Sequence, residues 1–340
     1  MCYFLGWEEI RVEDQLEEYV RQSADNKLPR PTGDGIGKIE HNSNLAHFYA
    51  HFVRHTIDTS LEGMTIVYDG ANGAASSVGP EILAGLGANV ININVNPDGL
   101  NINHHCGSTH IEGLQVAVQQ HNADLGIAND GDADRCLLVD EKGQVLDGDQ
   151  IMLLCALKLK EEGKLKDDTV VGTVMSNIGF HKAAEELGMK TVSTAVGDRY
   201  VLEYMREHNL SVGGEQSGHV IFLDHNTTGD GMLTAVQVAA LMKEKNKPLS
   251  ELAGIMTKYP QVLINVRVAT KTGWEDNDII KAAIVTAEGE LGAEGRVLVR
   301  ASGTEPLIRV MAEGPNQEEL QALCQEIADI IGREQGLAEK

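Results

Sequence analysis

Short apolar runs alternate with amphipathic stretches between residues 40 and 258. Apolar runs bounded by Gly, Asn or Asp are typical of buried strands, and we predict them at 65–69, 89–93, 125–128 and 169–174. Stretches with apolar residues three or four positions apart predict helices at 44–56, 80–86, 112–121, 150–161 and 179–187. Alternating strands and helices indicate an α/β fold, which binds ligands in loops at the carboxyl ends of its strands.

The last part of the chain has a different order of elements. It predicts a strand (262–268), a helix (278–291), two strands (296–300 and 307–311) and a final helix (317–331). The order β-α-β-β-α is typical of a small open-faced α+β sandwich. The apolar stripes of the two helices are then core positions.

These patterns predict the fold class and the domain organisation. We expect two tandem α/β sandwich domains with mixed sheets, at 40–146 and 147–258, followed by a small α+β domain at 260–338. Residues 1–30 predict only an acidic helix, roughly Glu13 to Gln22, followed by a linker rich in Pro and Gly.

Composition restricts the possible ligands and the compartment. The 340 residues carry a net charge of −23, which argues against nucleic acid and anionic membranes, since both need basic patches. The five cysteines form no Cys-x-x-Cys, which argues against zinc or a disulfide framework and suits a reducing compartment. With no signal peptide and no apolar run near 18 residues, we expect a cytoplasmic protein without membrane contact.

The most informative loop is Asp130-Gly131-Asp132-Ala133-Asp134-Arg135, between two predicted strands. Its three carboxylates lie at alternate positions and repel one another, so a folded chain needs something to offset them. A hard divalent cation such as Mg²⁺ or Ca²⁺ is the simplest candidate. The alternative is a solvated acidic turn, since Asp and Gly are common turn formers.

The spacing of these carboxylates also matches two other kinds of loop. An EF-hand calcium loop would use Asp130, Asp132, Asp134 and Glu141, but it needs Gly where Arg135 lies and helices where strands are predicted. We reject it. A phosphatase-type Asp-x-Asp nucleophile stays open on the residues alone, because it depends on the surroundings of the first Asp.

A second loop, from Arg300 to Arg309, predicts a phosphate site. It contains Ser302, Gly303 and Thr304, whose hydroxyls and backbone N–H groups can form an anion-binding concavity. The two arginines at its ends can bind phosphate oxygens in a bidentate way. A polar hairpin turn with two surface arginines is the alternative.

Two further loops offer polar groups for a substrate. Glu215, Ser217 and His219 suit hydrogen bonding to sugar hydroxyls or an amine, although a turn exposed to water fits the spacing equally well. In the loop 197–199, Arg199 near a predicted helix start can assist an anion, but Asp198 can also simply cap that helix. A metal, a phosphate and a polyol in one cleft would indicate phosphoryl chemistry on a sugar.

Together these loops resemble those of the α-D-phosphohexomutase superfamily, and in detail those of bacterial phosphoglucosamine mutases. The family's Asp-Gly-Asp-Gly-Asp-Arg metal loop is similar to 130–135, with Ala133 in place of Gly. Its Gly-Glu-x-Ser-Gly-His sugar loop is similar to 214–219, and Gln216 at the variable position is typical of phosphoglucosamine mutases rather than phosphomannomutases or phosphoglucomutases. Its Arg-x-Ser-Gly-Thr-Glu-Pro phosphate loop is similar to 300–306.

The resemblance implies an enzyme that interconverts glucosamine 6-phosphate and glucosamine 1-phosphate, a step toward UDP-N-acetylglucosamine and peptidoglycan. It implies Mg²⁺ as cofactor and a hexosamine phosphate as substrate, and it leaves the oligomeric state open. The implied metal ligands are Asp130, Asp132 and Asp134. The implied substrate-binding residues are Arg135, Gly197, Asp198, Arg199, Glu215, Ser217 and His219. The implied phosphate-binding residues are Arg300, Ser302, Gly303, Thr304 and Arg309.

One family feature is absent from the motifs of this sequence. Family members carry a phosphorylated serine in a loop of their first domain, and nothing before residue 28 resembles that loop. Residues 1–30 are similar to the tail of that domain plus a linker, so we expect the nucleophilic serine not to be in this chain. The resemblance leaves two alternatives: an inactive, truncated fragment that binds sugar phosphate, or a phosphomannomutase or phosphoglucomutase.

Overall fold

The computed structural model describes residues 18–24, 31–37, 44–302 and 305–336. The chain divides into two compact units, 1–49 and 50–340. Residues 18–24 are helical (α1), and the rest of the helix predicted near 13–22 lies outside the described residues. A longer helix, α2, follows at Asn44–Arg54. All the loops with candidate chemistry belong to the second unit.

The first sheet has five strands and is mixed, as expected. Its strands are β1 (Thr65–Asp69), β2 (Asn89–Ile93), β3 (Leu125–Asn129), β4 (Cys136–Asp140) and β5 (Val145–Leu146), in the order β2-β1-β3-β4-β5. The first three are parallel, whereas β4 runs antiparallel to β3 and β5 antiparallel to β4. Helices α3 (Val78–Gly85) and α4 (Glu112–His121) connect the parallel strands. The acidic loop is therefore a hairpin connection at the carboxyl end of β3.

The second sheet has four strands and is also mixed. Its strands are β6 (Thr169–Thr173), β7 (Lys190–Thr194), β8 (Val212–Gly214) and β9 (Val220–Phe222), in the order β7-β6-β8-β9, with only β9 antiparallel. Its helices are α5 (Gly148–Glu161), α6 (Ile178–Glu186), α7 (Asp198–Glu207), α8 (Gly231–Lys245) and α9 (Leu249–Leu252). Strand β8 is not predicted from the sequence, whose two glycines at 213 and 214 indicate a loop at 212–219 instead, and that prediction is wrong for residues 212–214. A Cβ on Gly213 would lie 2.8 Å from the Val171 side chain, so close packing requires glycine in this strand and hides its apolar pattern.

Helix α8 fixes the first sheet against the second. Residues 231–242 are all buried, and the helix packs against β3, β4 and α5. The predicted N-cap is confirmed, because Asp230 Oδ1 accepts the backbone N–H of Leu233 at 2.9 Å. The Gly231 N–H donates to the carbonyl of Ala133 at 3.0 Å, so this helix start also holds the acidic loop. Neither α8 nor any other helix in the described ranges combines the length and apolarity needed to cross a membrane.

The third sheet forms the small C-terminal layer. Its strands are β10 (Gln261–Arg267), β11 (Arg296–Ala301) and β12 (Leu307–Glu313), antiparallel in the order β10-β12-β11. Helices α10 (Asp278–Leu291) and α11 (Gln317–Glu334) cover one face, where Val310 packs in the core. Side chains alternate along a strand, so Arg309 and Glu313 lie on the opposite face, which α10 and α11 do not cover (the open face). The expected fold class is thus confirmed: two α/β domains with mixed sheets and a small α+β domain.

Candidate active site

The acidic loop brings its three carboxylates together. One oxygen each from Asp130, Asp132 and Asp134 lies within 4.8 Å of the others. Arg135 offsets this charge only weakly, since its Nε is 3.9 Å from both Asp130 Oδ2 and Asp134 Oδ1. Asp134 Oδ1 is buried and lacks a hydrogen-bond partner within the described part of the chain. An unsatisfied acceptor in a cluster of carboxylate oxygens fits a hard divalent cation such as Mg²⁺.

The electrostatics of the cluster show the same deficit of positive charge. Burial, with repulsion from Asp134, raises the pKa of Asp130 to about 7, against the lowering effect of the Arg135 backbone N–H. Burial also acts to raise the pKa of Asp134, but a hydrogen bond from His219 and the charge of Arg135 leave it below its ordinary value. The pKa values of the two carboxyl groups are therefore shifted in opposite directions, and the negative charge is disfavoured on Asp130.

Ala133 occupies a backbone conformation that favours glycine. Its φ of +62° is in the left-handed region. An L-residue there costs roughly 1–2 kcal/mol, whereas glycine adopts it freely. Ala133, where the similar family loop has Gly, therefore puts backbone strain into the acidic loop.

Replacing Ala133 with Gly is expected to stabilise the fold by up to about 1 kcal/mol, after subtraction of the ~0.5–1 kcal/mol that glycine costs in the unfolded chain. Urea unfolding of the purified protein measures this change. Ala195→Gly is the matched control, because Ala195 is an exposed loop residue outside the left-handed region. It should lower stability; a loss of stability in Ala133→Gly as well would contradict the strain argument.

The acidic loop and the sugar loop form one structure. His219 is 3% exposed, and its Nδ1 lies 3.1 Å from Asp134 Oδ2. Its Nε2 accepts the backbone N–H of Gly229 at 3.0 Å, so the proton of the neutral ring is on Nδ1 and points to Asp134. A short bridge between Arg135 and His219 and a hydrogen bond from Cys136 N to Gly218 O (3.0 Å) complete the contact.

Glu215 connects the sugar loop to the loop at 197–199. Its Oε1 accepts the backbone N–H of Gly197 at 2.9 Å, and the exposed Ser217 donates to its Oε2 at 3.3 Å. Asp198 is the first residue of α7 rather than its N-cap, which is Gly197. Arg199 Nε forms an ion pair with Glu203 of the same helix at 2.8 Å. Two loops that are about 18 residues apart in sequence therefore share one carboxylate.

The predicted phosphate loop places two guanidinium groups side by side. Arg300 and Arg309 are direct cross-strand partners on β11 and β12. Burial and the charge of Arg309 lower the pKa of Arg300. Arg309 Nε is buried and has no hydrogen-bond partner among the described residues, and its Nη2 is 3.8 Å from Glu305. Two adjacent cations with an unsatisfied donor fit an anion such as phosphate. Gly303 and Thr304 lie outside the described residues.

Two residues that hold the candidate loops in place, Asn129 and Lys271, were not predicted from the sequence. Asn129 is buried and donates to the carbonyl of Arg135 at 2.7 Å, while it accepts from the Tyr68 hydroxyl at 3.0 Å. Lys271 Nζ donates to the carbonyl of Ser302 at 2.5 Å, beside the phosphate loop. The strand-end position of Asn129 was a usable signal. Lys271 is 31 residues from its partner, and no spacing indicated it.

Comparison with known proteins identifies the family. Three models of the phosphoglucomutase/phosphomannomutase family match: α/β/α domain II over residues 46–143, α/β/α domain III over 147–259 and the C-terminal domain over 263–330. A phosphoglucosamine mutase of Geobacillus kaustophilus is 51% identical over 338 residues, which cover 98% of this chain and 75% of that protein. The chain belongs to the phosphoglucosamine mutase family. The sequence resemblance to the α-D-phosphohexomutase superfamily is thereby confirmed.

Solved structures agree with this family at the level of the fold. A phosphoglucomutase/phosphomannomutase family protein from Burkholderia thailandensis superposes with a TM-score of 0.77 at 20% identity, over 96% of this chain and 71% of that one. An Aspergillus fumigatus N-acetylphosphoglucosamine mutase, solved with GlcNAc-6P and magnesium, gives a TM-score of 0.65 at 24% identity, over 83% of this chain and 68% of that one. This chain and these two more distant proteins thus share one fold.

Proposed function

We propose that this chain carries the metal, sugar and phosphate sites of a phosphoglucosamine mutase, which interconverts glucosamine 6-phosphate and glucosamine 1-phosphate. The observation that carries the proposal is the 3.1 Å contact between Asp134 and His219. Because this contact joins loop 130–135 to loop 214–219, it supports a shared site for the metal and the sugar, as phosphoryl transfer to a sugar hydroxyl requires. Family membership supports the substrate class.

Each loop has a separate role in the proposed reaction. Asp130, Asp132 and Asp134 would hold Mg²⁺, which supplies positive charge to the phosphoryl group in transfer. Glu215 and Ser217 would bind sugar hydroxyls or the amine. His219, with both ring nitrogens engaged, would act by orienting Asp134 rather than by touching the sugar, which differs from the role expected from the sequence.

The phosphate arginines would hold the phosphate that does not react. Arg300 and Arg309 can each form bidentate hydrogen bonds to phosphate oxygens. In the cycle that the family resemblance implies, a phosphoserine of the family's first domain would give its phosphoryl group to one sugar hydroxyl, producing a 1,6-bisphosphate. The sugar then turns over, and its other phosphate returns to the serine. This reorientation of the sugar would exchange its two phosphates between the arginines and the metal site.

A second candidate function is sugar-phosphate binding without turnover. It requires only the binding loops, and these are preformed: Glu215 holds the backbone N–H of Gly197, and Arg300 lies opposite Arg309. Both candidates share the same binding loops, so they predict the same ligand and differ only in catalysis. A cytoplasmic location suits either one, since the four cysteines that the structure describes are free and buried.

Calorimetry and a coupled assay test both candidates on the purified chain. We expect glucosamine 6-phosphate to bind in the presence of Mg²⁺, and mutase activity after priming with glucose 1,6-bisphosphate decides between the two candidates. Absence of binding at millimolar ligand would refute the proposed substrate class. Robust turnover would show instead that a hydroxyl of this chain is the phosphoryl acceptor, and would eliminate the binding-only candidate.

A further inference from the structure

The open face of the third sheet carries its polar residues in two separate rows. Strand register places Arg300 opposite Arg309, and Arg296 opposite Glu313, on the same two strands. The two rows are four residues apart, which is roughly 13 Å at the ~3.3 Å rise of a strand. The first row is the proposed phosphate site. The second row has no part in the reaction described above.

Glu313 has a fully satisfied carboxylate although it is 0% exposed. Its Oε2 accepts from Arg296 Nε at 2.7 Å and from the backbone N–H of Ile178 at 2.8 Å. Its Oε1 accepts from Gln261 Nε2 at 3.1 Å and from Asn177 Nδ2 at 3.3 Å. Two of the four donors belong to the start of α6, beside the second sheet. This carboxylate therefore joins the third sheet to the domain that holds the sugar loop.

The segment around Asn177 also holds the linker between the two sheets. Asn177 Oδ1 accepts the backbone N–H of Tyr259, and its Nδ2 donates to the Tyr259 carbonyl, both at 3.0 Å. Arg296 Nη2 donates to the carbonyl of Ser176 at 2.5 Å. A Cβ on Gly179 would lie 2.0 Å from the carbonyl of Thr257, so glycine is required where the linker crosses. Linker and sheet thus dock on the same short segment.

The start of α5 connects this segment to the sugar loop. Asp149 Oδ2 accepts the backbone N–H of Asn177 at 2.8 Å. One residue earlier, the backbone N–H of Gly148 donates to the carbonyl of Gln216 at 3.0 Å, and a Cβ on Gly148 would lie 2.0 Å from the carbonyl of Glu215. An unbroken series of short contacts therefore runs from Glu215 and Gln216 through Asn177 to Glu313.

We propose that Glu313, together with Arg296, is a positioning residue that sets the place of the phosphate arginines relative to the sugar loop. β11 and β12 form a rigid antiparallel pair, so fixing one end of the pair fixes the other. A sugar phosphate must reach the sugar loop with its hydroxyls and the arginines with its phosphate at the same time. Where bound groups must be held in one geometry, a misplacement by about 1 Å can lower the reaction rate ~10²-fold. The inference rests on the proposed function for the identity of the ligand.

Glu313→Gln tests the inference with two ligands of different reach. Inorganic phosphate needs only Arg300 and Arg309, so its affinity by calorimetry should change less than about twofold. Glucosamine 6-phosphate needs both sites, and its affinity should fall by ~10–100-fold. In parallel, hydrogen exchange should accelerate at the amides of Ile178 and Tyr259, whose partners belong to this series of contacts.

Two further variants make the result decisive. Glu294→Gln is the matched control, because Glu294 also pairs across the two domains, with Lys182 at 2.9 Å, but is 64% exposed and should change nothing. Arg296→Lys keeps the charge but loses the planar guanidinium that contacts Glu313. If Glu313→Gln does not bind phosphate, the same measurements are made on Arg296→Lys. Equal loss of both ligands, or unchanged affinity and exchange, would overturn the inference. Faster exchange with no glucosamine 6-phosphate binding by the unmodified protein would refute the proposed function alone.

Discussion

Replacing Asp130 with Asn is expected to abolish stabilisation of the protein by Mg²⁺ and to raise the stability of the metal-free fold. Asp130 is the most buried member of the cluster, at 7% exposure, and it faces repulsion from Asp134 and Asp132. Removing its charge relieves a repulsion on the order of 1 kcal/mol. The Asn oxygen can still accept the Arg135 backbone N–H, which lies 3.2 Å from Asp130 Oδ1.

The same change removes one of three anionic metal ligands. Loss of even a hydrogen-bond partner of a ligand typically costs ~10–100-fold in metal affinity, so loss of a ligand should cost at least about 100-fold. Calorimetric titration with Mg²⁺ measures the affinity, and the melting temperature with and without Mg²⁺ measures both effects on stability. His219→Gln should give the smaller loss, because it disturbs only the orientation of Asp134.

Asp168→Asn is the matched control for the change in net charge. Asp168 is an exposed carboxylate paired with Lys160, and its left-handed φ suits Asn equally well. Its variant should bind Mg²⁺ like the unmodified protein. Retention of Mg²⁺ affinity in Asp130→Asn would remove Asp130 from the ligand set and leave the solvated acidic turn as the better interpretation of the loop.

Contacts close in sequence account for what could be predicted. Asp130, Asp132 and Asp134 lie in one hairpin, so their proximity follows from the chain itself. Arg300 and Arg309 flank a turn, and the strands on either side were readable as apolar runs. Local pattern therefore predicted the cluster of three carboxylates and the pair of arginines, and the order of predicted strands and helices predicted the fold class.

Contacts distant in sequence could not be predicted. Asp134 and His219 are 85 residues apart, and nothing in either motif indicates that the imidazole turns inward to a carboxylate. Glu313 ends an apolar strand and is 136 residues from Asn177. A lone acidic residue at such a position is ordinarily exposed, and only the packing of the third sheet on the start of α6 buries it. Strand β8 could not be predicted for a related reason. Its glycines are required by close packing against residues distant in sequence, and glycine has a low strand propensity.

Replacing Arg309 with Met is expected to weaken binding of glucosamine 6-phosphate by at least about 100-fold, since two hydrogen bonds to a charged group contribute ~1.5–3 kcal/mol each. Stability without ligand should be retained or rise. Arg309 faces the like charge of Arg300 across the strands, and its Nε lacks a partner within the described residues. Calorimetry with the sugar phosphate and thermal unfolding without it measure the two effects separately.

Arg309→Lys and Arg333→Met separate the causes. Lysine keeps the charge but cannot form the bidentate fork, so its loss of affinity should be intermediate. Arg333 lies on α11 in the same domain, and its replacement by Met removes one charge away from the open face, which should leave affinity unchanged. If Arg309→Met destabilised the free protein, its guanidinium would have a structural role. A gain in stability with a loss of binding, as also expected for Asp130→Asn, would show that both loops hold like charges together for their ligands at the expense of the fold.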